Sequence, residues 1–350
     1  MKKLCYLILI SMLGLTLGAC GTRSGEKTQM RVLIAGSLIV PFDALERAFE
    51  AQHPNVDVLM EGHGSIQCMR HVTELGQLAD VVAVADYTLI PMLMYETREP
   101  ESGEPYASWM LRFAANKLGL AYTSQSAYAD EIDSDNWYEV VARPDVLFGV
   151  SDPRLDACGY RSLMATQLAE RYYDDDAVFD RVLGGRFAQP IRLQTQDGVD
   201  TISVPEVLQP KDQVGLVMRG SSVRLLGLLE SGDLDYAFEY ESVSRQHGLE
   251  FLALPPQISL SEEAHEEAYE RVRVKLAFKR FASVNPVFEG KPIAYGITIP
   301  TNAPHPDLAV ELIQFLVGPK GQKVMAEHQH PLILPPVVDD EAALPAALKP

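Results

Sequence analysis

The sequence predicts an α/β protein made of two similar halves. Three observations lead there. Short β-like runs alternate with helical stretches from residue 31 onward. One run, ADVVAVAD at 79–86, is almost continuously apolar, as a parallel strand covered on both faces must be. The alternation then starts afresh near residue 117.

The elements follow in order. RVLIAG (31–36) reads as the first strand. Phe42, Leu45 and Phe49 recur at helical spacing, so 41–52 reads as an amphipathic helix, closed by His53-Pro54. VDVLMEG (56–62) is the next strand and 67–77 the next helix. In the second half, KLGLAYT (117–123) is a strand, NWYEVVARP (136–144) a short helix and VLFGVSDP (146–153) a strand. A longer helix spans 159–173. Residues 186–218 hold β-like fragments broken by turn residues and read as a hairpin insertion. A helix over 223–232 ends at Gly232, and LDYAFEY (234–240) is a strand. SEEAHEEAYERVR (261–273) reads as a charged, solvated helix and AYGITI (294–299) as a late strand. Two helices divided at Gly318-Pro319 fill 306–328, and a Pro-rich tail follows.

The chain of 350 residues is long enough for two domains, and 47% hydrophobic content supplies a sizeable core. A formal charge of −18 makes nucleic acid a poor partner, since backbone binding needs a basic face. It does not exclude an anionic ligand, because buried N–H groups bind anions without cationic side chains. The start, MKK followed by LCYLILISMLGLTLGAC, is a secretory signal over residues 1–19. Its ending, Leu17-Gly18-Ala19-Cys20, resembles the bacterial lipobox, which implies cleavage before Cys20 and lipid attachment there. Residues 20–30 read as a tether, so the expected location is the cell envelope, at the periplasmic face or outer surface. Cys68 and Cys158 read as free, small, buried thiols.

Four stretches place small or acidic residues where a helix begins: Gly36-Ser37, Gly64-Ser65, Asp156-Ala157-Cys158-Gly159 and Gly220-Ser221-Ser222. A helix N-terminus carries unpaired N–H groups and partial positive charge, and a serine adds a hydroxyl. Each alone is ordinarily just a cap. Aimed at one cleft, with the phenol of Tyr240 at a strand end, they would surround a small tetrahedral anion with neutral donors. His328-Gln329-His330 reads as a surface turn, and Asp86-Tyr87 as a cleft or hinge position or a turn with a packed tyrosine. Ser37 and Ser65 have no base placed by motif, and there is no GxSxG, HExxH or Walker pattern. An enzyme is therefore not expected, nor a cofactor.

The chain resembles the tungstate/molybdate-binding lipoproteins of ABC importers, relatives of the periplasmic molybdate-binding proteins. AGSLIVPFDALERAFE, HPNVDV, GHGSIQC, ELGQLADVVAVADYTLIP, ACGYRSLMATQLAE, LLESGDLDYAFEYESVSRQHGL and KPIAYGITIP carry the resemblance, together with residues 120–153. It covers most of residues 31–330. It implies the two-lobed type II periplasmic-binding-protein fold, each lobe a mixed sheet flanked by helices, with the ligand in the interlobe cleft. Lobe I would take 31–114 and 296–340, and lobe II 115–295.

On this resemblance Ser37 and Ser65 supply hydroxyls from the first lobe. Asp156 is the acidic position, and the loop at Cys158 reaches the anion through its backbone. Tyr240 is the tyrosine donor. Members with expanded coordination use a second carboxylate, a Glu ahead of the Glu-Ser-Gly helix; counting back from Gly232, that position falls on Ser222. Asp156 then remains as the one candidate for direct contact with the metal atom of molybdate or tungstate. Glu239 is a compensating candidate, but neighbours on a strand face opposite ways, so it and Tyr240 are not expected to face the ligand together. The implied function is capture of tungstate or molybdate by cleft closure for an ABC permease. The expected partners are the oxyanion, the permease and the membrane through the N-terminal lipid, with the protein a monomer. The alternatives are a binding protein for sulfate, phosphate or a small organic anion, and a sensory lipoprotein on the same fold.

Overall fold

The computed structural model describes residues 27–277 and 286–349. The signal segment and Cys20 lie outside the described residues. Along the chain the strands are β1 (Thr28–Ala35), β2 (Val56–His63), β3 (Val81–Val84), β4 (Leu111–Ala115), β5 (Leu118–Tyr122), β6 (Phe148–Ser151), β7 (Arg192–Gln196) and β8 (Val199–Val204). There follow β9 (Leu216–Arg219), β10 (Tyr236–Tyr240), β11 (Glu250–Ala253), β12 (Val272–Leu276), β13 (Val287–Glu289), β14 (Ala294–Thr298) and β15 (Leu332–Val338). β1 starts at Thr28, inside the stretch read as tether.

These strands form three sheets. The first has the order β15-β4-β14-β3-β1-β2, the second β11-β5-β10-β6-β9 and the third β13-β12-β8-β7. In the first, β1 pairs in parallel with β2 and β3, while β14 runs antiparallel to β3 and β4. In the second, β10 is parallel to β6 and antiparallel to β5. Both ends of the chain thus build one lobe and the middle builds the other. The outward crossing lies at Asn116-Lys117, between β4 and β5.

Local chemistry accounts for most of the elements. Phe42, Leu45 and Phe49 line the buried face of helix Ile39–Glu50. The central strands β3, β6 and β10 are buried at every position, as covered strands must be. β7 and β8 form a hairpin whose two-residue turn, Asp197-Gly198, has positive φ at both positions, the geometry that suits the twist of a hairpin. Gly232 ends helix Leu226–Ser231 in the left-handed conformation. Helix Ala157–Tyr173 is buried from Ala157 to Glu170 because it packs against β6 and β10 on one side and β12 on the other, with Tyr160 stacked on Phe288 at 4.3 Å.

Three expectations are corrected. Residues 261–273 do not form one helix: a short turn and helix Glu266–Tyr269 give way to β12, where Val272, Val274 and Leu276 alternate inward. Period-two burial outweighs the charged residues before it. The Pro-rich tail contains β15, which tolerates Pro335 and Pro336 because it is an edge strand paired only with β4. His330 is not at the surface; it is fully buried against Tyr295, and burial pushes its pKa down to about 3. Cys68 and Cys158 are free and buried. No helix among the described residues is long and apolar enough to cross a membrane.

The first sheet is tied to the C-terminal segment by Asp80. This buried carboxylate accepts from the N–H of Arg31 at 2.8 Å and from the N–H of His305 at 2.6 Å. Asp80→Ala strands both donors and is expected to lower the unfolding free energy by about 2–4 kcal/mol, read from urea denaturation.

Candidate functional site

The four helix starts meet where the lobes touch. Gly36-Ser37 and Gly64-Ser65 follow β1 and β2 at the ends of adjacent parallel strands, where ligands gather in open α/β sheets. The second lobe contributes Leu155-Asp156 and Gly220–Val223, which follow the parallel pair β6 and β9. The backbones approach closely. A Cβ on Gly64 would stand 2.4 Å from the Leu155 carbonyl oxygen, and one on Gly36 would stand 2.9 Å from Val223 Cγ2. Gly64 has an ordinary φ of −63°, so glycine is needed here for space and not for conformation.

Asp156 sits at the centre of this contact. Its carboxylate makes no cap on its own helix; Oδ2 accepts the N–H of Ser222 at 3.0 Å. Burial holds its pKa above the ordinary carboxylate value, while Ser151 and the N–H groups of Ser222, Ser65 and Ala157 pull it back down. Donors from both lobes therefore point at one buried negative group. Ser65 Oγ accepts the N–H of Ala85 at 3.0 Å, so its own proton remains available. Cys158 turns its thiol to the Phe238 carbonyl and offers the cleft only backbone.

A second group surrounds Tyr240. Arg161 Nη1 donates to the Tyr240 hydroxyl at 2.8 Å and to the Ala85 carbonyl at 2.6 Å, and Nη2 lies 3.4 Å from Asp86. Tyr160 donates to the same Asp86 at 2.6 Å. Asp86 is thus a link between lobes and not merely a turn. Burial disfavours the Arg161 charge, but Tyr240 and Asp86 outweigh it and the guanidinium is held charged. Because arginine only donates, the Tyr240 oxygen accepts and its O–H is left to donate elsewhere.

Ser37 joins a buried polar chain. Its hydroxyl lies 2.8 Å from the Tyr295 hydroxyl, which accepts from Asn116 Nδ2 at 3.1 Å. Asn116 also donates to Ser242 at 2.8 Å, and Ser242 lies 3.1 Å from His330 Nδ1. Asn116 Oδ1 accepts the N–H groups of Lys117 and Ser242, which fixes the amide orientation. The Tyr295 oxygen accepts from Asn116, so its proton can go to Ser37 and the Ser37 proton can go onward.

Glu239 is fully buried at the end of β10, beside the Ser222 helix start. Ser222 Oγ donates to Glu239 Oε1 at 3.0 Å, and the N–H of Tyr240 donates to the same oxygen at 2.8 Å. The other oxygen, Oε2, is buried and has no hydrogen-bond partner. Burial raises the pKa to about 8, with Asp156 adding to the rise and the Tyr240 N–H and Ser222 opposing it. A carboxyl from position 239 thus lies in contact with Ser222. Sequence reasoning missed Arg161, Tyr295 and Asn116. The one local signal was for Arg161, an arginine inside CGYRS.

Comparison with known proteins is consistent with this geometry. Residues 30–328 match the sequence profile of a family described as bacterial extracellular solute-binding protein. An uncharacterized solute-binding protein of Methanoculleus marisnigri is 42% identical over 89% of this chain and 84% of its own length. The molybdate/tungstate-binding protein WtpA of Pyrococcus abyssi is 37% identical over 96% of this chain and 94% of its own. The periplasmic molybdate-binding protein of Azotobacter vinelandii superposes with a TM-score of 0.55 at 14% identity, covering 87% of this chain and 99% of that one, and so shares the fold.

Glu239 makes stability depend on pH. Between its ordinary 4.5 and about 8 the folded protein keeps a proton that the unfolded chain releases. Stability therefore falls as pH rises through this window, with a limiting slope of about 1.4 kcal/mol per unit from this group. Glu239→Gln is expected to flatten the profile of unfolding free energy between pH 5 and 8 relative to wild type. Identical profiles would show that the group ionises normally.

Proposed function

Because the chain belongs to the bacterial extracellular solute-binding proteins, a family of carriers and not of enzymes, we propose that it captures molybdate or tungstate and delivers it to an ABC permease. The observation that carries this reading is the convergence of N–H groups from both lobes, at Ser65, Ala157 and Ser222, on one buried acidic point. The name borne by the Pyrococcus abyssi relative supports the same ligand class. Ser37, Ser65 and Tyr240 each have a hydroxyl proton to offer, and Arg161 adds positive charge behind Tyr240.

In this reading the anion docks on one lobe, and closure brings the other set of donors and excludes water. Asp156 contacts the metal atom of the oxyanion in place of a repelled dianion oxygen. Glu239 stays neutral at physiological pH, and its proton on Oε2 adds a donor where an ionised carboxylate would repel. Selection against sulfate comes from cavity width, since the three anions share a charge and Mo–O and W–O bonds exceed S–O in length. Lipid attachment at Cys20 holds the carrier beside the permease at the envelope.

Calorimetric titration with tungstate, molybdate, sulfate and phosphate tests the reading. Submicromolar binding of tungstate or molybdate without sulfate heat is expected, and Ser37→Ala and Ser65→Ala should each weaken it about tenfold or more, the scale of a lost hydrogen bond to a charge. Preference for sulfate or phosphate would reassign the ligand, and no heat with any of them would remove the oxyanion reading. Closure has its own test. Gly64→Ala sets a methyl against the Leu155 carbonyl at an allowed φ and forces the two loops apart, so it should sharply reduce anion affinity in a protein that circular dichroism shows to be folded. Unchanged affinity would mean that the loops need not approach this closely.

A further inference from the structure

A second cluster of ligating side chains lies on the first lobe, on the far side of the Gly64-Ser65 turn. Glu61 and His63 are two residues apart on β2 and so share a face. His71 reaches the same place from helix Ser65–Thr73, its ring centroid 4.4 Å from that of His63. One ligand atom from each of the three lies within 4.8 Å of the others.

Gln77 organises the group. Its Oε1 lies 2.8 Å from His71 Nδ1, and its Nε2 donates to Glu61 Oε2 at 3.0 Å. The reverse amide orientation would set a carbonyl against the carboxylate, so Nδ1 of His71 carries the proton and Nε2 keeps its lone pair. An imidazole oriented by a hydrogen bond from its other nitrogen is the usual arrangement of a metal ligand. His63 Nε2 is buried without a hydrogen-bond partner and stands 3.8 Å from Glu61 Oε2.

We propose that Glu61, His63 and His71 form a three-ligand site for a divalent transition-metal cation of the zinc type. Two imidazoles and one carboxylate suit a borderline metal at distances of about 2.0–2.2 Å and leave a fourth position for water. Calcium and magnesium prefer an all-oxygen shell and are disfavoured. Arg31, 3.3 Å from Glu61 Oε1, adds positive charge nearby. The site therefore depends on imidazole bonding and not on a general negative field. His63 precedes and His71 follows the turn that presents the Ser65 N–H, so the cation would staple that strand to its helix.

The test is titration of the purified, untagged full chain with Zn2+ in competition with a chromophoric chelator, with no oxyanion present. A single submicromolar equivalent is expected for wild type, with Mg2+ and Ca2+ unable to compete. His71→Ala should abolish it. Gln77→Leu, which keeps every ligand but removes the orienting bond, should weaken it about tenfold or more, the scale of outer-shell effects. Circular dichroism in EDTA checks that each variant is folded. Absence of wild-type binding, or binding that His71→Ala and Gln77→Leu both leave intact, overturns the site. Because oxyanion is left out, the result is independent of the anion-binding reading.

Discussion

The structure is organised around the cost of holding negative charge away from water. A buried carboxylate or oxyanion is tolerated only where fixed donors replace its hydration. Here those donors are the first N–H groups of helices, which no residue in the helix itself can satisfy. Parallel strands deliver such helix starts to the C-terminal ends of β1, β2, β6 and β9, where the loops of the two lobes touch. Asp156 shows what the arrangement does electrostatically: burial works against its charge, and backbone dipoles from both lobes work for it.

The same logic explains why the cleft holds groups of opposite character side by side. Arg161 is kept charged by contacts that span both lobes, Asp86 on one and Tyr240 on the other. Glu239, only one residue from Tyr240, is pushed the other way: burial, with Asp156 adding to it, raises its pKa to about 8. A guanidinium held charged and a carboxyl whose ionisation is disfavoured thus lie within reach of neighbouring residues of one strand end.

Much of this could be read in the sequence, for identifiable reasons. Strongly periodic helices and continuous apolar strands announce themselves through local burial, as Phe42, Leu45 and Phe49 do. The serines stood out because a Gly-Ser pair between strand and helix repeats. What stayed hidden depends on distant partners. β15 pairs with the open edge of β4, which its Pro-rich local pattern does not record, and the short alternation of β12 is masked by the charged residues before it until β8 pairs with it. The contact between Glu239 and Ser222 joins residues 17 apart in sequence, which strand alternation does not report. Arg161 and Tyr295 look like ordinary residues until the lobes bring Asp86, Tyr240 and Ser37 to them.

The pairing of the first sheet has a consequence for how the chain is made. Its strands come from residues 28–115 and from 294–338, with β14 seated between β3 and β4. On a chain that emerges N-terminus first, β1 to β4 wait with a missing central strand while the contiguous second sheet assembles. Only when nearly the whole polypeptide has appeared can β14 fill the gap and β15 cover the edge of β4. Until then β3 and β4 present open edges, and an unpaired edge is a template for pairing with another chain.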